Sequence, residues 1–252
     1  MRDSPLTRLF LALPGPLQAV ARATMDVLKT HRHSSWSQEG EDRILSVLLR
    51  DHGPGFYVDV GAHHPKRFSN TFLLYRSGWR GRNIEPDPDL ARAFHVHRKR
   101  DVTAQVGIGT TAGSHNLYRF SDAALNTFDA EIARAREGEG WSRRDTISVR
   151  VAPLKELLAE YGVDKVDVLN IDVEGRDLDL LRSNDWQHIR PKLILVEIVG
   201  TDVLASASDA CHIFLANVGY RLAAKTPRTA IYQQTGSNDL GQQTLNCIGE
   251  TS

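Results

Sequence analysis

The chain has 252 residues, enough for one α/β domain with embellishments and a sizeable core. Its 31 basic and 31 acidic residues balance, so nothing in the charge points to nucleic acid or to an anionic membrane as a partner. Cys211 and Cys247 are too few and too far apart for a disulfide framework or a zinc site, Cys211 lies in an apolar helical stretch that reads as core, and a reducing cytoplasm fits.

Leu6 to Leu28 leans apolar, with Leu9, Leu13, Leu17 and Val20 at helical spacing. Arg2, Arg8 and Ala19-Val20-Ala21 give it a faint likeness to a secretory signal. The apolar patch is short and broken by Pro14 and Pro16, however, so the segment reads better as a docking helix or one lying weakly on a membrane. The polar stretch Ser35 to Asp42 follows and leads into an amphipathic helix from Arg43 to Arg50, with Ser37 or Gln38 as its cap. The alternative is that this stretch closes over a ligand, which makes Gln38 a binding candidate.

Phe56 to Val60 is β-branched, aromatic or terminal to a strand, and it stops at Gly61. A helix is expected to start at Ser69 or Asn70, with Gly78 as its left-handed stop. The amides at that start suit a carboxylate. Gly81 to Pro86 is a second short strand ending in Glu85, and Asp87-Pro88 is a cap and first turn for the next helix, with Leu90 and Phe94 toward the sheet. His95 and His97 do not share a face and read as solvated. Val102 to Ile108 reads as a third strand and Asn116 to Phe120 as an extra one. The charged span Ser121 to Asp145 reads as a solvated helix, or as a mobile lid over an acceptor.

Thr146 to Val151 is expected to be a strand, and Pro153 to open a helix carrying Leu154, Leu157, Leu158 and Tyr161. Val166 to Ile171 is a buried strand ending in Asp172-Val-Glu-Gly175, and Leu193 to Ile198 is another with Glu197 near its end. A helix from about Asp202 to Val218 and a hairpin of Tyr220 to Lys225 with Thr229 to Gln233 close the domain, and a polar tail follows. The alternation predicts a Rossmann-like, doubly wound, mostly parallel α/β sheet with a C-terminal antiparallel hairpin. The expected organisation is an N-terminal helical extension over 1–34, a catalytic domain over 35–234 and a tail over 235–252.

A strand entering a glycine turn, with an acid at the end of the next strand, is how such sheets hold an adenosine and its ribose diol. A dinucleotide site wants a second and third glycine so that backbone can approach a pyrophosphate. Here those positions are His63 and Lys66. The pattern suits an adenosine ligand without phosphates, of which S-adenosylmethionine is the common one. The alternatives are an NAD(P)-dependent oxidoreductase on the same sheet and a non-catalytic binding module.

The pieces Ser37-Gln-Glu-Gly-Glu-Asp42, Val58-Asp-Val-Gly-Ala-His-His-Pro65, Ser69-Asn-Thr71 with Leu74-Tyr75, Gly78-Trp79, Asn83-Ile-Glu-Pro86 and Asn170-Ile-Asp-Val-Glu-Gly175 occur in order. In them the chain resembles the FkbM family of methyltransferases, from about Ser35 to Gly200. The resemblance implies a class I methyltransferase fold, S-adenosylmethionine as cofactor, and O-methylation of a sugar, glycolipid or other metabolite. It leaves the N-terminal segment and the tail without a counterpart.

In that frame Asp59 and Gly61 line the methionine side of the cofactor, and Ala62 and His63 bring backbone close to it. Glu85 holds the ribose, Gln105 and Val106 edge the adenine, and Gln38, Asn70 and Asp172 complete the set. Methyl transfer needs a group to take the hydroxyl proton, and the candidates are Asp172, Glu174, Glu197 and His63. Asp172 and Glu197 could instead bind Mg²⁺, lowering the pKa of the acceptor hydroxyl. His64 reads as structural.

Overall fold

Five consecutive residues, Phe56–Val60, form β1, and their side chains alternate between two cores. Val58 and Val60 join Ile84, Leu169, Ile171, Ile194 and Val196 on one face, while Tyr57 joins Val168, Leu193, Leu195 and Ile231 on the other. Strands buried on both faces read as near-continuous apolar runs, as β1 does but for Asp59. The computed structural model describes residues 34–173, 175–200 and 207–236, together with 14, 17 and 202. By packing the chain divides into 1–34 and 35–252, and the fold described is that of the second unit. The expectations for the N-terminal segment, Glu174, Cys247 and the tail beyond Gly236 lie outside the described residues.

The main sheet has seven strands in the order β3-β2-β1-β7-β8-β10-β9. These are β1, β2 (Arg80–Ile84), β3 (Val102–Ala104), β7 (Val168–Ile171), β8 (Leu193–Glu197), β9 (Tyr220–Lys225) and β10 (Thr229–Gln234). Every pairing from β3 across to β8 is parallel, and only β10 runs against its neighbours. The expected doubly wound sheet and closing hairpin are therefore present. The chain winds outward from β1 to β3 and returns to β7 on the other side of β1. That reversal opens a crevice at the carboxyl ends of β1 and β7, where ligands of such sheets bind.

Helices cover both faces. α1 (Glu41–Leu48) and α2 (Phe72–Arg76) contribute Leu45 and Leu74 to the core around Tyr57. α5 (Leu154–Glu160), α6 (Asp177–Arg182) and α7 (Ala210–Asn217) bring Leu154, Leu157, Leu158, Leu180, Leu181, Cys211 and Leu215 to the other. Between β2 and β3 lies α3 (Pro88–His97), which starts as expected. Asp87 accepts the amides of Asp89 and Leu90, and Pro88 fills the first turn. Phe94 and Ala91 are its buried positions, Leu90 is only half-buried, and His95 and His97 are exposed.

Three expectations are corrected. The strand foreseen over Val102 to Ile108 is broken in two: β3 joins the main sheet, whereas β4 (Gly107–Ile108) joins a second, three-stranded sheet of order β4-β6-β5. The chain crosses between the sheets at Gln105 and Val106, and Gly107 admits the approach because a Cβ there would lie 2.6 Å from the Phe128 ring. β5 (Gly113–Phe120) and β6 (Arg143–Ala152) pair antiparallel, so Arg143 to Asp145 belong to a strand. Only the middle of the charged span is helical, α4 (Ala130–Gly138) capped by Asp129. Finally, Gly40 at φ 92° takes the N-cap position of α1 and Gln38 is exposed, while Ser37 serves the helix start from farther back: its Oγ accepts the Asp42 amide (3.3 Å), and the Asp42 carboxylate takes Ser35, Ser37 and the Trp36 amide. The helix foreseen from Asp202 is described only from Ala210, with Asp209 as its cap.

One buried charge ties the sheet to the loop after β1. The side chain of Arg98, at the end of α3, has no exposed surface. It donates to the Pro65 carbonyl (2.7 Å), Thr71 Oγ1 (2.8 Å), Asn83 Oδ1 (3.2 Å), Tyr57 Oη (3.3 Å) and Ser69 Oγ. The Asp59 and Asp101 carboxylates lie 3.8 and 3.9 Å away. Removing one partner of such a cluster strands the others in a dry interior. Arg98→Ala is therefore expected to cost about 3–5 kcal/mol of unfolding free energy, read from urea denaturation, far more than truncating an exposed arginine such as Arg92.

Candidate functional site

The crevice is built from strand ends. At the end of β1, Gly61 turns with φ 72°, and its amide and that of Ala62 donate to the Ile84 carbonyl (3.1 and 3.2 Å). A Cβ at Gly61 would lie 1.8 Å from the Asp172 carbonyl oxygen. Glycine is required there by backbone approach as well as by φ. The Asp172 amide in turn donates to the Val60 carbonyl (3.1 Å), so the ends of β1 and β7 are locked side by side. His63 follows at φ 50°, a conformation uncommon for a side-chain-bearing residue.

At the end of β2, Glu85 is buried. One carboxylate oxygen accepts the His63 amide and the other the Asp87 amide, each at 2.8 Å. Burial pushes its pKa up to about 8; the two amides oppose the rise, and the Asp87 and Asp59 charges add to it. Each oxygen keeps a second lone pair for a hydroxyl donor. The Nε2 of the His63 ring is buried without a hydrogen-bond partner among the described residues. Burial first, then the Arg67 and His64 charges, hold its pKa below the usual imidazole value, so the ring is neutral at pH 7.

The remaining candidates fall into three groups. Asp59 is buried, accepting from Asn170 Nδ2 (2.8 Å) and from Thr71 Oγ1. Asn70 donates to Asn170 Oδ1 (2.9 Å). These residues therefore form a chain beneath the turn, and Asp59 orients Asn170 and Thr71 where the sequence reading had it lining the cofactor. Gln105 is exposed and Val106 buried, just beyond the Ala104 carbonyl that accepts the Glu85 amide (3.0 Å). Gln38 is exposed, on a segment whose Trp36 carbonyl accepts the Ser69 amide (3.0 Å). His64 Nδ1 accepts the Lys66 and Arg67 amides, a structural role.

Across the crevice, Ile171 and Val196 are partners in register, which sets Asp172 and Glu197 side by side one residue beyond. Asp172 is exposed and Glu197 half-buried. Among the described residues no three His, Cys, Asp or Glu side chains are grouped to hold a metal ion, so the Mg²⁺ expectation has no support in the ligand geometry. An acid not singled out from the sequence is Asp177. It is buried, and its Oδ1 has no hydrogen-bond partner among the described residues. Burial, reinforced by the Glu197 charge, raises its pKa to about 7 against the pull of nearby amides. Its only sequence signal was its place two residues after the Asp172-to-Gly175 motif. Asn170 and Thr71 were visible in quoted motifs, whereas Arg98 at a helix end had no sequence signal.

Gly61→Ala is expected to lower the thermal midpoint by several degrees or abolish folding, because neither the Asp172 carbonyl nor the positive φ can yield. Glu85 makes a second prediction. Its folded pKa lies above the ordinary carboxylate value of 4.5, so the native state holds a proton that the unfolded chain has released. Its contribution to stability therefore falls as pH rises from about 4.5 to about 8. Guanidinium midpoints across that range should decline less steeply in Glu85→Gln, and parallel slopes would contradict the assignment.

Residues 59–222 match the Methyltransferase FkbM domain. No curated protein matches the chain. Among solved structures, an FkbM methyltransferase from Methylobacillus flagellatus KT aligns at 15% identity and a TM-score of 0.44, over 71% of this chain and 43% of its own. The chain thus spans less than half the length of that protein. An O-methyltransferase from Bacillus cereus in complex with SAH aligns at 12% identity and a TM-score of 0.42, over 90% of this chain and 93% of its own. The O-methyltransferase TomG from Streptomyces achromogenes, in complex with SAM, aligns at 13% identity and a TM-score of 0.43, over 89% and 91%.

Proposed function

The chain belongs to the FkbM methyltransferase family, and from that premise we propose that it transfers a methyl group from S-adenosylmethionine to a hydroxyl of a sugar, glycolipid or related metabolite. The observation that carries the cofactor reading is Glu85. It is a buried carboxylate at the end of β2, held by two amides and left with one lone pair on each oxygen. A ribose diol supplies two donors for that pair of acceptors. The buried, unpartnered Nε2 of His63, whose amide binds Glu85, offers a further polar contact. The turn after Gly61 carries His63 where a pyrophosphate site needs glycine, which favours this ligand over a dinucleotide.

When bound, S-adenosylmethionine supplies an electrophilic methyl on a sulfonium. The chain's part is to hold the acceptor oxygen in line and take its proton. Asp172 and Glu197, which follow adjacent strands, are our candidates for this, and His63, neutral at pH 7, is a third acceptor. Glu174, also a sequence candidate, lies outside the described residues. The acceptor would enter from the crevice side, toward the exposed Asp172. Its identity as a carbohydrate hydroxyl rests on the resemblance of the motifs alone.

Isothermal titration with S-adenosylhomocysteine tests the reading. At pH 9, where the carboxyl is ionised, wild type is expected to bind, and Glu85→Gln to bind about 10- to 100-fold more weakly, the worth of hydrogen bonds to a charged acceptor. Equal affinities would remove Glu85 from the ribose. The pH dependence follows from the same group. Below about pH 8 the carboxyl carries a proton and loses an acceptor site, so wild-type affinity should rise between pH 6.5 and 9, while that of Glu85→Gln stays flat. Labelled-methyl assays against a panel of sugar, nucleotide-sugar and glycolipid acceptors test the other half. Transfer only to nitrogen or carbon acceptors would overturn O-methylation.

A further inference from the structure

The small sheet is not a free appendage, because its one buried arginine is tied to the loop that carries Glu85. Arg119, on β5, is 6% exposed. It sits opposite Asp145 of β6 in register and grips it through two bonds, Nε to Oδ1 at 2.7 Å and Nη2 to Oδ2 at 2.6 Å. Its remaining nitrogen, Nη1, leaves the small sheet and donates at 3.2 Å to both Asp87 Oδ1 and Asp89 Oδ2. Asp87 is itself buried, and its second oxygen accepts from Asn126 Nδ2 at 2.9 Å. Asn126 is anchored in turn by the Phe120 amide (2.9 Å). Both oxygens of Asp87 are thus held from the inserted segment, and its amide is the donor that fixes one oxygen of Glu85 at 2.8 Å.

From this geometry we infer that Arg119 is a positioning residue for ribose recognition: it carries the seat of the small sheet through Asp87 to the Glu85 carboxylate. The inference rests on the reading of Glu85 as the ribose acceptor. A hydrogen bond of 2.8 Å weakens steeply when its donor moves or tilts, so a loosened Asp87 releases Glu85 from the rotamer that presents its free lone pairs. Lysine cannot replace the arginine, because a point charge cannot grip one carboxylate with two bonds while reaching another. The small sheet and the cofactor cleft are coupled by this path, so whatever stands on β5 and β6 is set in place by the same contacts that set the ribose site.

The test is a double-mutant cycle on S-adenosylhomocysteine affinity, measured by titration calorimetry with wild type, Arg119→Lys, Glu85→Gln and the double variant. Arg119→Lys should weaken binding about tenfold when Glu85 is present and have little further effect when it is glutamine. Equal losses in both backgrounds would mean general loosening and would overturn the inference, as would an undiminished affinity in Arg119→Lys. If Arg119→Lys does not fold, Asn126→Ala, which removes the other contact to the same carboxylate, is read by the same criteria. Wild type that fails to bind S-adenosylhomocysteine would refute the methyl-donor reading itself and take this inference with it. That result is distinct from a normal wild type with no coupling.

Discussion

A guanidinium with no access to water sits under the candidate site, and the local structure is arranged around satisfying it. Arg98 reaches two strands of the sheet, the entry to α2 and a loop carbonyl from one position at the end of α3. Isolated, a charge in that position would be prohibitive. Surrounded by Asp59, Asp101 and five hydrogen-bond acceptors, it becomes a constraint on where each of them lies. The loop from Gly61 to Ser69 is irregular and carries two residues with side chains at positive φ, His63 and Phe68. It has no ladder of its own to hold it. Arg98 supplies the fixed point that regular structure does not.

The same low-dielectric surroundings set the chemistry of the crevice. Glu85 and Asp177 are both lifted toward neutrality by burial. Asp172 lies in the open, one residue beyond a paired strand. Acids in one cleft are therefore divided between buried groups that hold a proton near pH 7 and a more exposed one that does not share their environment. The inserted three-stranded sheet enters this arrangement through Asp87, which caps a helix, supports Glu85 and receives Arg119 at once.

Much of this was legible in the residues. Phe56 to Val60 reads as a buried strand because four of its five side chains are aromatic or β-branched. Asp87-Pro88 and Gly78 announce a helix start and stop through local chemistry alone. Val102 to Ile108 was misread because a run of strand-forming residues does not say which of two sheets each half will join. Asp42 was overlooked as the collector of Ser35, Ser37 and Trp36 because an acid in a helical first turn ordinarily faces water. Arg98 and Arg119 carry no signal in the sequence, since nothing nearby in the chain announces the partners that they meet in space.

What the sequence by itself determined is the doubly wound order of elements, the glycine turn after the first strand and the acid at the end of the second. Each depends on properties of a few adjacent residues: β-propensity, positive φ, helix capping. Only the tertiary structure decided that Gly61 must admit the Asp172 carbonyl, that Asp59 serves Asn170 and Thr71, and that Arg119 reaches Asp87. Those relations join residues 12 to 111 positions apart, and they arise because burial leaves a charge or a polar atom no partner but the one that the fold brings to it.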